Sequence, residues 1–163
     1  MEVKGKVFKY GDNVDSDVLF PARYLTINDI KEMGAHALED LDRDFVKQVK
    51  PGDVIVAGIY FGCGSQRDHA VMAMKEVGVG CVIAKSYARS FYRNCINIGL
   101  PLIECPEAAE AIEKGDEITI NFDTGIIEDL TTGKTFNAPP FPEYIQKVID
   151  AGGIMEFTKK EYT

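Results

Sequence analysis

The sequence predicts an α/β fold with a parallel core sheet and an antiparallel C-terminal β-meander. Three short, nearly continuous apolar runs support the parallel part: Val54-Ile55-Val56-Ala57, Cys81-Val82-Ile83-Ala84 and Leu100-Pro101-Leu102-Ile103. Runs of this kind suit strands covered on both faces. Between them lie apolar residues at helical spacing, giving two strand–loop–helix units in succession and hence right-handed parallel crossovers. Beyond Gly115 the pattern changes to alternating strands and tight turns, which supplies the antiparallel part.

Taken in order, Val3, Gly5 and Val7 alternate with lysines and predict a half-buried strand ending at Gly11. A polar segment, Asp12 to Asp17, leads to the short apolar run Val18-Leu19-Phe20. Residues 21–27 read as a loop, and Asn28 suits the cap of a helix starting at Asp29. The charged stretch from Ala35 to Val49 has weak helical periodicity and predicts short helices or mobile structure. Lys50-Pro51-Gly52-Asp53 is a turn before the first buried strand.

A glycine-rich loop follows that strand, with a helix beginning near Ser65 or Gln66 and using Ala70, Val71, Ala73, Met74 and Val77. Tyr87, Phe91, Cys95 and Ile98 mark one face of the next helix, which Gly99 stops. Pro106 opens a further helix that Gly115 ends. Ile118 to Phe122 and Ile126-Ile127 flank the turn Asp123-Thr124-Gly125 as a hairpin, and Thr132-Gly133-Lys134 turns the chain again. Pro142 starts a last helix, closed by Gly152-Gly153. With no repeat or linker in view, residues 1–163 read as a single domain.

A length of 163 residues is enough to close a hydrophobic core, and the net charge of −8 without a basic stripe excludes a nucleic-acid partner. No apolar run reaches membrane-spanning length, and Met1-Glu2-Val3-Lys4 opens directly into a strand-like segment. The expectation is a chain without signal peptide or membrane contact, located in the cytoplasm. Cys63, Cys81, Cys95 and Cys105 contain no C-x-x-C pair, and there are only two histidines, so no metal site is expected on this chain. Cys81 and Cys105 read as small buried hydrophobes.

Most of the chemistry is concentrated in Gly62-Cys63-Gly64-Ser65-Gln66-Arg67-Asp68-His69. Glycines let backbone N–H groups converge, and a helix N-terminus favours an anion. The Walker and Rossmann patterns both fail here, for want of the Lys-Ser/Thr pair and of a third glycine respectively. Arg67 suits a carboxylate, which a guanidinium grips with two parallel bonds. A structural turn with a capping serine and a surface arginine fits the same spacing. Asp12-Asn13-Val14-Asp15-Ser16-Asp17 is not a calcium loop, because Val18 and Tyr24 stand where glycine and glutamate are required. One of its carboxylates beside Arg67 would orient or polarise the serine. His69 forms no usual nucleophile–base pair with Ser65 and reads as a supporting or packing residue; His36 reads as a surface residue.

These constellations, in this order, resemble the small subunit of 3-isopropylmalate dehydratase, the swivelling domain of the aconitase superfamily. The family's Gly-Cys-Gly-Ser-Ser-Arg-Glu-His-Ala is matched by residues 62–70, and its Gly-Asp-Asn-(Ile/Val)-Asp-Thr-Asp by Gly11 to Asp17. Ser90-Phe91-Tyr92-Arg93-Asn94 with Asn97-Ile98-Gly99 is similar to its Phe-Tyr-Arg-Asn…Asn-x-Gly helix. The resemblance spans essentially the whole chain and implies a swivelling-domain-like β/α sandwich. It implies that Ser65 is the catalytic base, that Asp17 is the active-site aspartate, and that Arg67 binds a substrate carboxylate. His69, Asp68 and Arg93 take supporting places around them.

The resemblance further implies that this chain holds no cofactor and that a four-iron, four-sulfur cluster sits on a large-subunit partner, in a heterodimer or heterotetramer. The substrate would be a small hydroxy-dicarboxylate. Tyr24-Leu25-Thr26-Ile27 match the loop that selects its side group, and the absence of a cation at Thr26 and Ile27 favours an apolar substituent over a third carboxylate. Arg23 is close enough in sequence to complicate that choice. Gln66 replaces the family's second serine and Asp68 its glutamate, so Gln66 joins the substrate-binding set with an altered grip. Citramalate, 2,3-dimethylmalate and homoaconitate enzymes are the neighbouring alternatives. From other classes, a non-catalytic anion-binding module and an autonomous serine hydrolase stand as rival readings.

Overall fold

β1 (Glu2–Lys9) is the seam between the two halves of the sheet. Its first part, Glu2 to Lys6, pairs antiparallel with β5 (Glu117–Asn121), while Val7 to Lys9 pairs parallel with β2 (Val54–Ala57). The computed structural model describes residues 1–64 and 67–162. With β3 (Cys81–Ala84), β4 (Leu102–Glu104), β6 (Ile126–Asp129) and β7 (Thr135–Asn137), a seven-stranded mixed sheet runs in the order β4-β3-β2-β1-β5-β6-β7. The expected parallel core and antiparallel meander are both present.

Burial explains the division. β2 and β3 are buried at every position, as their apolar runs require, whereas β5 and β6 alternate and cover only one face. On one side of the sheet pack α1 (Ser16–Leu19), α2 (Ile30–Ala35), α4 (His69–Glu76) and α5 (Arg89–Ile98), around Phe45, Phe61, Met74 and Leu100. Phe45 opens the single-turn α3 (Phe45–Gln48). On the other side α6 (Pro106–Ala111) meets the meander through Ala108, Ala109, Ile118, Ile120 and Ile127. α7 (Glu143–Asp150) and α8 (Ile154–Tyr162) pack on α5. No helix among the described residues is long and apolar enough to cross a membrane.

Several boundaries differ from the expectation for local reasons. The polar segment before Val18 becomes α1 because the Asp15 carboxylate accepts the Asp17 N–H (2.7 Å) and caps it. Asp29, not Asn28, caps α2, accepting from the Lys31 N–H (2.9 Å). α4 starts at His69 rather than near Ser65 or Gln66, which lie outside the described residues. Tyr87 precedes α5 instead of lying on it. The stretch from Ala35 to Val49 does hold short helices and turns, with Leu38 fully buried at φ 57°.

Candidate active site

The loops that leave β1, β2 and β3 run side by side beyond the carboxyl edge of the parallel sheet and bind one another through their backbones. Carboxyl edges of parallel strands are the usual place for ligands in open α/β sheets. Between the first two loops, Gly58 N–H donates to Gly11 O (3.0 Å), Asn13 N–H to Ile59 O (2.8 Å), Gly62 N–H to Val14 O (2.9 Å) and Ser16 N–H to Cys63 O (2.7 Å). Asp12 Oδ1 accepts the Ile59 N–H (2.9 Å). On the other side Lys85 N–H donates to Gly58 O (3.0 Å), Phe61 N–H to Ser86 O (3.0 Å) and Ala88 N–H to Phe61 O (2.9 Å). The glycine loop is therefore the middle of three braced segments.

Aromatic packing fixes the floor. Phe61 meets Phe91 edge-on at 5.2 Å and Tyr87 at 6.2 Å. The Tyr87 hydroxyl reaches the carbonyls of Val82 (2.9 Å) and Ile103 (2.8 Å), and burial pushes its pKa well up, so it stays a neutral strut between β3 and β4. A side chain on Gly62 would run into the Phe91 ring, and Gly62 also holds φ 82°. Gly64, at φ 97°, lies directly against the Asp15 carboxylate.

Three expected carboxylates thus have separate tasks: Asp12 holds Ile59, Asp15 caps α1 beneath Gly64, and Asp17 is exposed in the first turn of α1. Ser65 and Gln66 fall outside the described residues. Arg67 and Asp68 are exposed just before α4. His69 opens α4 with its ring stacked on Phe20 (5.6 Å, 21°) and its buried Nδ1 without a hydrogen-bond partner among the described residues. Phe20 also meets the Tyr24 ring (6.2 Å), so one phenyl group links the segment of residues 24–27 to the start of α4.

The Tyr24 ring stacks on the His36 ring (3.7 Å, 15°) and carries the Arg23 guanidinium over it (4.8 Å). Leu25 and Ile27 pack against the core, while Thr26 is exposed. His36 is half-buried instead of lying on the surface, its Nδ1 3.0 Å from Glu39 Oε1. Arg23 is occupied: it donates to both oxygens of Asp40 (2.9 and 2.8 Å) and to Glu39 Oε2 (2.8 Å). Hydrogen bonds from Tyr24 and His36 hold the Glu39 carboxyl below its ordinary range, and Arg23 does the same for Asp40. A swing of Arg23 toward a ligand would have to break this clamp.

On the far side of Gly64, Arg93 shares a hollow of about 310 Å³ with Tyr60, Arg89 and Ser90. Tyr60 is 52 % exposed at φ 54°, a strained setting for a large side chain. Sequence reasoning reached Ser90 and Arg93 within one motif but missed Tyr60, Arg89 and the wedge role of Asp15. Arg89 was detectable, standing one helical turn before Arg93 on the same face.

As for a metal, the described residues contain no group of three or more His, Cys, Asp or Glu able to hold one. Cys81 and Cys95 are fully buried with thiol pKa values pushed well up by desolvation; Cys105 is buried and Cys63 half-buried. These dispersed, protonated thiols do not fit an iron–sulfur cluster.

A parallel sheet with an antiparallel annex, and a glycine loop braced at its carboxyl edge, define the class of aconitase C-terminal domains; that family matches residues 14–108. The chain belongs to this family and, within it, to the 3-isopropylmalate dehydratase small subunits. The small subunit of that name from Caldicellulosiruptor bescii is 57 % identical over 161 residues, covering 99 % of this chain and 97 % of that protein. A 2,3-dimethylmalate dehydratase small subunit from Eubacterium barkeri is 55 % identical over 157 residues, covering 96 % of each. The crystal structure of a 3-isopropylmalate dehydratase from Methanocaldococcus jannaschii superposes with a TM-score of 0.93 at 42 % identity, covering 99 % of this chain and 95 % of that one.

Proposed function

We propose that this chain is the small subunit of a heteromeric hydro-lyase that isomerises 2- and 3-isopropylmalate by dehydration and rehydration in leucine biosynthesis. The observation that carries the reading is the bracing of residues 11–16 against residues 58–63 at the carboxyl edge of the parallel sheet, in a chain similar over its full length to dehydratase small subunits. In this reading residues 1–163 act as one cytoplasmic domain. They form a heterodimer or heterotetramer with the large subunit.

Ser65 takes the proton from the carbon next to the leaving hydroxyl. The electrons of that C–H bond form the C=C bond as hydroxide departs, and water returns at the other carbon. An alkoxide base needs preorganised positive charge, which the N-terminal end of α4 and Arg67 supply. Arg67 grips one substrate carboxylate, Gln66 contributes a donor or acceptor beside it, and Asp17 orients the serine or the arginine. His69, anchored on Phe20, supports the loop with Asp68. Tyr24, Leu25, Thr26 and Ile27 face the side group. The cluster-bearing large subunit supplies the Lewis acidity that helps hydroxide leave.

The test is anaerobic co-purification with the large subunit. The isolated chain is expected to be inactive, the complex active, and Ser65→Ala reduced by at least about a thousand-fold. Near wild-type turnover in Ser65→Ala overturns the base. The 55 % identity to the Eubacterium barkeri protein favours 2,3-dimethylmalate as the second reading. Turnover compared on isopropylmalate, dimethylmalate, citramalate and homoaconitate decides between them, and tight phosphate binding by the lone chain without activity in the complex would favour the anion-binding module.

A further inference from the structure

Arg89 and Arg93 stand one turn apart on the exposed side of α5, both directed at the hollow that begins at Gly64. Neither forms an ion pair among the described residues. Like charges at this spacing on a helix repel, and a cation in the first turn also opposes the helix dipole. The chain has 26 acidic residues against 18 basic ones, so carboxylates to quench the pair are plentiful, yet among the described residues no Asp or Glu lines the hollow. Arg23 is the contrast: its guanidinium is saturated by Asp40 and Glu39. An arrangement that is unfavourable in the free chain becomes favourable once an anion occupies the space between the guanidinium groups.

We infer that Arg89 and Arg93 bind a carboxylate of the dianionic hydroxy-dicarboxylate substrate as it enters the site, separately from the grip assigned to Arg67. The inference rests on the proposed function for the identity of that dianion. The hollow, about 310 Å³, accommodates a small dicarboxylate, and Ser90 offers a further hydroxyl donor in its wall. Tyr60 closes the opposite side, and its N–H is held by Ser86 Oγ (2.7 Å), so the wall is set before the ligand arrives. In a chain of net charge −8 the pair also gives a local positive field that draws an anion toward Gly64.

The same chemistry could be satisfied by an acidic side chain of the large subunit, and the test separates the two sources. In the reconstituted complex, Arg89→Gln and Arg93→Gln are each expected to raise KM for 2-isopropylmalate roughly ten-fold, with kcat changed far less. They should also flatten the fall of kcat/KM with added salt. Arg89→Lys and Arg93→Lys keep the charge and should keep the salt dependence while raising KM less than the Gln variants do, which excludes a folding defect. Affinity between subunits, measured by sedimentation, should not change. Unchanged KM and salt dependence in both Gln variants overturns the inference. So does weakened assembly with normal KM, because the bound carboxylate is then the partner's. Should the complex prove inactive on every substrate offered, the functional reading fails by itself. Succinate titrated into the full chain then decides the arginine pair: shifts of the Ser90 and Tyr60 amide signals that vanish in the Gln variants sustain it, and their absence overturns it.

Discussion

A Cβ placed on Gly64 would lie 2.5 Å from Oδ1 of Asp15, the carboxylate that caps α1. Gly64 also holds φ 97°, which side-chain-bearing residues rarely adopt. The two residues belong to loops that leave different strands, so this contact sets how closely the glycine loop approaches the first loop. Gly64→Ala should therefore displace the loop that carries Ser65. Turnover of the complex is expected to fall at least about a hundred-fold, with a stability loss of roughly 1–3 kcal/mol in urea unfolding. Removing the Asp15 side chain in addition relieves the clash but not the backbone strain, so it should restore stability only in part.

Asp15→Ala alone removes the acceptor of the Asp17 N–H. A lost helix cap costs about 1 kcal/mol. Because Asp17 rides on that turn, the larger effect is expected on kcat of the complex, measured beside the urea midpoint.

Asp129, 1 % exposed, meets Asp116 between β5 and β6 while its Oδ1 accepts the N–H groups of Thr131 (3.0 Å) and Thr132 (3.2 Å). Burial and a hydrogen bond to Asp116 raise its pKa. The folded chain thus holds this proton more tightly than the unfolded one. The resulting stability is complete below the ordinary carboxylate range and is lost as pH rises through the raised value. Asp129→Asn keeps a donor toward Asp116 without the charge. It should be more stable than the parent near neutral pH, the gain shrinking as pH falls. Urea midpoints between about pH 4 and about pH 8 check this; a constant difference across that range would refute it.

Lys75 Nζ donates to Ile98 O (2.7 Å) at the end of α5 and to Gly152 O (3.0 Å) after α7. One ammonium thereby serves the negative ends of two helices. Lys75→Met should cost about 1 kcal/mol in urea unfolding without changing turnover of the complex.

Thr26→Arg places a cation at the exposed position of the loop to which the proposed function assigns side-group selection, and Arg23 cannot compete while Asp40 and Glu39 hold it. Turnover ratios should shift from isopropylmalate toward homoaconitate. An unchanged ratio would remove Thr26 from the selectivity set.

The parallel strands were legible because Val54 to Ala57 and Cys81 to Ala84 must be covered on both faces, and only a flanked parallel sheet does that. The motifs were legible through their resemblance to the family, since glycine, serine and arginine at that spacing fit a structural turn equally well. α8 was not foreseen: Ile154 to Tyr162 is polar, has no buried residue, and packs on α5 and α7 through a few contacts such as Tyr144 with Phe157 (5.3 Å). α1 was hidden because four residues are too short for periodicity and depend on the Asp15 cap. The start of α4 was misplaced since Ser65 is an attractive cap by residue type. The wedge of Asp15 under Gly64 and the Phe20 link between Tyr24 and His69 come from tertiary contact alone, which no local pattern encodes.

The cross-bracing of the three strand-end loops has a mechanical meaning. The cross-braced residues 11–16, 58–63 and 85–88 travel as one rigid plate, so they leave little freedom among themselves to open or shut a cleft at this edge. In the complex proposed above, opening becomes a rocking of one whole subunit on the other, with the interface as its pivot. Alterations at that pivot would retime every half-site distance together while leaving the spacing within the plate untouched.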